Sequence, residues 1–599
     1  SGGILSATSI ADNGVSSSIG VGTGDTNNEN IGLLFRGGTL QYSGSTAQST
    51  NRQIRLSTTG GGGTIDASGS DPSATLTFTA PTSINFFEGP GNRTLTLAGS
   101  NTGTNTFATA IGQAGGVTSV VKSGGGRWML TGTSNYSGVT TLAGGTLNAA
   151  TIADNGTASS LGVGTGDTNN ENIGLLFRGG TLQYTGSTAQ STNRQIRLFT
   201  SGGSIDASGS NVNATLSFTH SAANTNFFDS PGTRTLTLTG SNTGNNSFAI
   251  RLEDQGSNVT SLVKSGAGKW VLSGASTYGG QTDITAGMLV AASSTALGVG
   301  GHNGATMSWI RDGATLGLQG GISLNEHFHV WGAGVDGLGA IRNISGNNAL
   351  TNAPVDSPGY ALRSNTTIGV DADTLTISGF YNGDGGSYGI TKTGQGSLTL
   401  SGNNTYTGAT NVTGGTLVVN GTISSSSLTT VASGATLGGS GTVGALTIST
   451  GGSINPGNSP GILNVNGAYN QAGTLIAEIT GTTPGTGHDQ INVTGSVNLS
   501  GALTLDVTNA GTGYVLNSMI FLILNDGVDA VTGAFSNYAQ GASVGNFGGF
   551  DWIITYQADS TTSSFTGGND VALRAIPEAS TALLGGLGAL GLLRRRRNA

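Results

Sequence analysis

Apolar and hydroxyl-bearing residues alternate one for one along much of this chain. Thr94-Leu95-Thr96-Leu97, Thr374-Leu375-Thr376-Ile377, Leu398-Thr399-Leu400 and Leu503-Thr504-Leu505-Asp506-Val507 each put Leu, Ile or Val on one face and Thr or Asp on the other. A period of two over so few residues predicts short, half-buried strands. Gly37-Gly38, Asn155-Gly156 and Ser401-Gly402 stand between such runs, where tight turns need positive φ. Ordinary helical periodicity is absent until the last twenty residues.

The pattern recurs at long range. Gly20 to Leu56 reappears as Gly162 to Leu198 with one difference, Ser43 against Thr185, and Arg93 to Leu97 returns as Arg234 to Leu238. The unit is therefore about 140 residues long. Inside it a shorter element occurs three times: Lys122 to Leu130, Lys264 to Leu272 and Lys392 to Leu400. Each continues through a Tyr-x-Gly (Tyr136, Tyr278, Tyr406) to a strand ending at Leu147, Leu289 or Leu417. Repeats on this scale predict a stacked array whose units bury their apolar faces on one another.

Composition narrows the choice of array. The chain has 599 residues, well beyond what one compact core holds, and 107 glycines against 10 prolines without a Gly-X-Y period. At 9% charged and 35% apolar it is not a charge-driven disordered chain. Cysteine is absent, which removes disulfides, thiol catalysis and thiolate metal sites. A net charge of -8 with 22 basic residues gives no footprint for nucleic acid.

A parallel β-helix fits better than a row of β-sandwiches or a propeller, because coils of some twenty residues let Leu and Ile stack inward while Thr, Ser and Asn face water. The expected fold is all-β: a right-handed parallel β-helix with a C-terminal β cap and a short C-terminal hydrophobic helix. The expected divisions are repeat units at 1–142, 143–290 and 291–420, terminal coils at 421–517, a cap at 518–575 and a tail at 576–599. Ser1 to Asn13 align with the end of a repeat, so the sequence is read as opening within a unit, its export signal removed or lying upstream.

The line Lys-x-Gly-x-Gly-x-Leu-x-Leu-Ser-Gly-x-Asn-x-Tyr-x-Gly, clearest from Lys392 to Gly408, resembles the autotransporter-associated β-strand repeat of passenger-type surface proteins. Gly38 to Tyr42, Ala340 to Asn348 and the turn Pro456-Gly457-Asn458-Ser459-Pro460-Gly461 resemble it too. The resemblance runs to about residue 575 and implies a β-helix at the cell surface without enzymatic activity in the repeat. This chain has no segment matching the long-stranded translocator barrel that ends an autotransporter.

Its tail carries Pro577, Glu578, Ala579 and Ser580, an uncharged run from Ala582 to Leu593, and then Arg594, Arg595, Arg596 and Arg597. As a helix that run is about 18 Å long, short of a bilayer core of about 30 Å, and the four arginines read as a membrane stop. The layout resembles the PEP-CTERM sorting signal of Gram-negative bacteria, with Ala579 where that family has a second proline. The resemblance implies an exosortase-like processing enzyme as partner, with transient membrane contact through the tail. A plain C-terminal anchor is the alternative.

Candidate chemistry is sparse. Gly457-Asn458-Ser459-Pro460-Gly461 and Gly541-Ala542-Ser543-Val544-Gly545 match Gly-x-Ser-x-Gly, but neither sits on a strand feeding a helix, so both read as turns. His327 and His329 share a strand face, as two metal-binding imidazoles would, and with no third ligand they read as a surface pair. Asp25, Asn27 and Glu29, repeated as Asp167, Asn169 and Glu171, alternate oxygen ligands as calcium turns do, yet lack the distal glutamate; a solvated loop is the favoured reading. Asp66 and Asp206 are repeat copies, and Asp371 and Asp373 flank one alanine, so no unique carboxylate cluster emerges. Tyr42, Tyr184, Trp128 and Trp270 recur at equivalent positions and read as core or ladder stacking, with sugar binding by exposed rings as the alternative.

The expectation is thus an exported, non-enzymatic, adhesin-like rod of the cell surface or extracellular matrix, needing no cofactor. Its further partners are exopolysaccharide or other surface proteins, and not nucleic acid. A polysaccharide lyase or glycosidase on the same fold, and an autotransporter passenger, are the alternatives.

Overall fold

Strands that alternate Leu with Thr have one apolar face each, and they bury it by stacking parallel and in register. The computed structural model describes residues 2–22, 32–164, 174–220, 231–299, 307–351, 359–511, 513–526 and 529–578. Asp25, Asn27, Glu29, Asp167, Asn169 and Glu171 lie outside these residues, as do Ala579, Ser580, the four arginines and the helix expected there. The chain forms two compact units, Ser1–Trp309 with Ala314–Leu316, and Ile310–Gly313 with Gly317–Ala599. Among the described residues the single helical element is the 3-10 turn Val335–Gly337, and no helix is long and apolar enough to cross a membrane.

In the first unit, Thr39–Tyr42, Gly62–Ala67, Arg93–Ala98, Thr118–Lys122 and Thr140–Leu142 pair in succession, all parallel. Leu40 lies on Ile65 and Ile65 on Leu97, an apolar ladder of buried side chains. A second face stacks Thr50, Phe78, Phe107 and Leu130, with the Phe78 and Phe107 rings 5.6 Å apart. The second unit repeats the scheme: Leu375, Leu398, Leu417, Leu437, Ile454, Leu475 and Leu503 form one unbroken column. This is the expected parallel β-helix.

Near its end the second unit changes habit. Met519–Leu524 still pairs parallel with Gln490–Val493, but on its other side it takes Asp570–Ile576 antiparallel, followed by Phe550–Ala558 and Ser543–Phe547. The strand Ala502–Asp506 also meets a side chain that imitates a strand. The Asn537 amide accepts from the Leu503 N–H at 3.0 Å and donates to the Leu503 carbonyl at 2.8 Å, sealing part of an edge that would otherwise stay unpaired.

The thrice-repeated Lys-x-Gly element folds into a lock at the corner of a coil. Lys122 follows Leu97 in the inward ladder and precedes Leu142; Lys264 lies between Leu238 and Ile284, and Lys392 between Ile368 and Val412. All three are fully buried. Each ammonium spends its three donors on three backbone carbonyls: Ser123, Gly124 and Gly144; Ser265, Gly266 and Ala286; Thr393, Gly394 and Gly414, at 2.6 to 3.1 Å. Two of those carbonyls belong to the corner itself and the third to the next coil, so one cation ties successive coils together. The corner glycine is obligatory: Gly266 has φ of +67°, and a Cβ there would lie 2.6 Å from the Gly240 carbonyl oxygen.

Burial pushes these amines down, Lys122 and Lys392 to about 8 and Lys264 to about 7. A lysine whose native pKa is lowered binds fewer protons when folded than when unfolded, so stability rises with pH between the native value and the unfolded value near about 10.4. Buried Tyr136 is shifted the opposite way, up to about 12, and Tyr406 upward as well. Unfolded tyrosines ionise near about 10, so stability falls again above that. Melting followed by circular dichroism should therefore give a midpoint that climbs from pH 7 to about pH 9.5 and then declines; a midpoint that falls steadily from pH 7 would contradict this.

Candidate binding face

Strand alternation in the second unit produces one outward face unlike the Thr and Ser rows elsewhere. In Phe328–Val330 the residues Phe328 and Val330 point into the core, Phe328 stacking on Tyr360 with ring centroids 5.8 Å apart. Their neighbours His327, His329 and Trp331 therefore share the opposite side. His329 registers with Ala361, and Ala361 with Tyr381, one coil further on. The small Ala361 leaves room for the His327 and Tyr381 rings to approach to 6.4 Å. His327 to His329 is 5.6 Å and His329 to Trp331 is 6.2 Å, so four rings form a chain across the face.

Guanidinium and carboxylate groups edge these rings. Arg363 Nη2 is 3.2 Å from His329 Nδ1, and its Nη1 is 4.0 Å from an Asp384 carboxylate oxygen. The Tyr388 hydroxyl donates to the same Asp384 at 3.3 Å. Arg311 lies over the Trp331 ring, 5.4 Å from its centroid. The absence of a side chain at Gly383 makes room for Arg363, since a Cβ there would sit 2.8 Å from Arg363 Nε.

The expected surface pair of histidines is corrected by this arrangement. His327 and His329 are 5% and 7% exposed, covered where a water-facing pair was expected. Burial, with the Arg363 cation beside it, holds the His329 imidazole down at about 4. A guanidinium within hydrogen-bonding distance of the ring opposes a metal cation at that nitrogen. Among the described residues no group of three or more His, Asp or Glu side chains is disposed to hold a metal ion.

A second cluster was missed by sequence reasoning. Glu478 and Asp506 face each other on paired strands. Buried Asp489 sits with them, its oxygens accepting from the Gly461 N–H at 2.8 Å and the Glu478 N–H at 2.9 Å. Burial pushes its carboxyl up to about 6. Ser459, from the first Gly-x-Ser-x-Gly, has φ of +75° and donates to Glu478 at 2.6 Å. The geometry is that of a corner brace: Asp489 is only 2% exposed and both its oxygens are committed to backbone. Four cavities, lined around Leu34, Leu505, Gln540 and Asn213, contain no carboxylate in their walls. The second match begins at Ser543 an edge strand, Ser543–Phe547, that feeds no helix.

The other candidates fall into place as structure. Trp128 and Trp270 are wholly buried, their indole N–H groups donating to the Ala98 and Thr239 carbonyls at 2.8 and 2.9 Å. Tyr42 and Tyr184 are buried too. Asp66 and Asp206 accept from Gln41 and Gln183 of the adjacent coil, and Asp371 pairs with Arg342 at 2.9 Å. Of the tail motif, Pro577 is exposed and the Glu578 carboxylate accepts from Asn546 at 2.9 Å.

Residues 120–149, 262–291 and 390–419 match the passenger-associated-transport-repeat family, each stretch framing one buried-lysine lock. Over 309 residues the chain is 33% identical to the adhesin BmaC autotransporter of Brucella suis biovar 1 (strain 1330), taking in 51% of this chain. It spans 8% of that relative's length. The chain is thus a repeat protein that carries autotransporter-passenger-type repeats.

Proposed function

We propose that this chain is a non-enzymatic, adhesin-like protein exposed on the cell surface or in the extracellular matrix of a Gram-negative bacterium. The observation that carries this is the use of the duplicated sequence: the same buried-lysine lock recurs in all three passenger-type stretches, and the conserved chemistry of the copies goes into stacking coils. The autotransporter relative described above is named an adhesin, which agrees with a displayed scaffold. The tail adds a route to the surface, with an exosortase-like enzyme acting near Pro577 and Glu578 and the arginines halting in the membrane. Exopolysaccharide and other surface proteins are the partners such a scaffold would meet.

Proteinase K added to intact producing cells should cut the chain while cytoplasmic markers survive; a chain protected until lysis would remove the surface reading. Mass spectrometry of the mature protein should find its C-terminus near Pro577, and a terminus that retains Arg597 would defeat the sorting route alone. No polysaccharide should be turned over by the purified protein, whereas turnover that survives dialysis would favour the lyase or glycosidase.

A further inference from the structure

We propose that the outward face bearing Trp331, Arg363, Tyr381, Asp384 and Tyr388 is a binding site for a neutral, hexose-based polysaccharide. The proposal names a ligand class for the adhesive reading above and rests on it only for biological purpose.

Three features of the face select this ligand. First, Trp331, Tyr381 and Tyr388 are all half-buried, so each of the three aromatic residues presents part of itself to solvent, where a pyranose can lie against it. Aromatic rings of this amphipathic kind combine a large apolar area with a polar edge. Second, Arg363 Nη1 and an Asp384 oxygen stand side by side at 4.0 Å, and beyond their contacts with His329, Tyr388 and the Gly386 N–H the guanidinium keeps further donors and the carboxylate further lone pairs. Vicinal hydroxyls both donate and accept, so one diol can engage the two groups together. Third, the ring chain spans two coil steps, from the His329 rung to that of Tyr381, on the order of 10 Å. A single sugar does not reach across it, and an extended polymer does.

Charge and apolar area argue against other partners. Arg363 is matched by Asp384, and Arg311 is followed by Asp312, so no basic excess is present to attract a polyanion or nucleic acid. The neighbouring His329 imidazole is neutral at physiological pH. Among the described residues, no exposed large aliphatic side chain is part of this set, and a protein interface would want such an apolar centre. The face also lies outside the duplicated segments, as a specific site on a repetitive scaffold should.

Affinity electrophoresis of the purified 599-residue chain in native gels containing dextran, hydroxyethylcellulose, laminarin or galactomannan tests the site, with alginate as the acidic arm. Retardation is expected in at least one neutral polymer and not in alginate alone. Trp331→Ala and Tyr381→Ala should each weaken it by about tenfold. Should either variant melt early, Asp384→Asn, at an exposed position, should still cost several-fold at an unchanged melting temperature. Absence of retardation in every neutral polymer, retention by alginate only, or retention unaltered in all three variants would overturn the proposal. Beads coated with the chain separate the two levels: beads that adhere to cell surfaces while gels show no retention remove this site alone, and beads that adhere to nothing remove the adhesive reading itself.

Discussion

Lys264→Met will cost the first unit about 3–5 kcal/mol, measured by urea unfolding. Methionine keeps the length and the apolar stem of the lysine, so the ladder between Leu238 and Ile284 stays filled. What disappears is the ammonium, and with it the donors to Ser265, Gly266 and Ala286. Each carbonyl left without a donor in a buried corner costs about 1–3 kcal/mol. Because coils of a solenoid are held only by their neighbours, the loss should be local. Hydrogen exchange should quicken in Thr260–Lys264 and Lys269–Leu272 and stay unchanged around Lys392. The climb of stability between pH 7 and 9.5 should also shrink, since the lysine with the lowest native pKa is gone. A variant within 1 kcal/mol of the parent on the same scale would show that the three carbonyls find water and that the lock adds little.

The coil architecture was legible because two independent signals agree. Period-two alternation specifies which side of each strand is buried, and the spacing of the Lys-x-Gly elements specifies where coils turn. Those signals did not disclose the lock. Lysine is among the residues least often buried without a partner, so the residue type of Lys122, Lys264 and Lys392 gives no sign of burial. The signal lay in their placement: each occupies an alternate position that a Leu, Ile or Val fills in the strands above and below. An apolar column interrupted by one cation, with a positive-φ glycine two residues later, is the pattern to look for.

The binding face and the acidic brace were legible to different degrees. His327 and His329 were correctly put on one strand face, but sequence spacing says nothing about the next two coils, which bring Arg363 and Tyr381 against them. Glu478, Asp489 and Asp506 lie up to 28 residues apart; parallel register joins Glu478 to Asp506, and an antiparallel bridge between Ile479 and His488 brings Asp489 back to them. A solenoid places side by side residues separated by one coil of variable length. Loop insertions therefore scramble the sequence offsets while preserving spatial adjacency, and a cluster built across coils has no fixed spacing to recognise.

Trp270→Ala should lower stability by about 3–5 kcal/mol, and Trp270→Leu by about 1–2 kcal/mol. Trp270 stacks between Asn246 and Leu289, is wholly buried, and donates its indole N–H to the Thr239 carbonyl at 2.9 Å. Alanine leaves a void that adjacent coils cannot collapse into, since their backbones are already locked in register. Leucine is the residue that the third copy uses at the same place: Leu398 follows Lys392 by the interval that separates Trp270 from Lys264, and it fills its column between Leu375 and Leu417. The site thus accepts an aliphatic chain at the expense of one hydrogen bond and some volume. Urea melts of the two variants separate this role from sugar recognition, for which the recurring tryptophans were the alternative candidates. A core residue gives a large loss for alanine and a small one for leucine, with polysaccharide retention in gels unaffected wherever the variant is folded. Equal melting of parent and alanine variant, together with lost retention, would move Trp270 from the core to the ligand-binding surface.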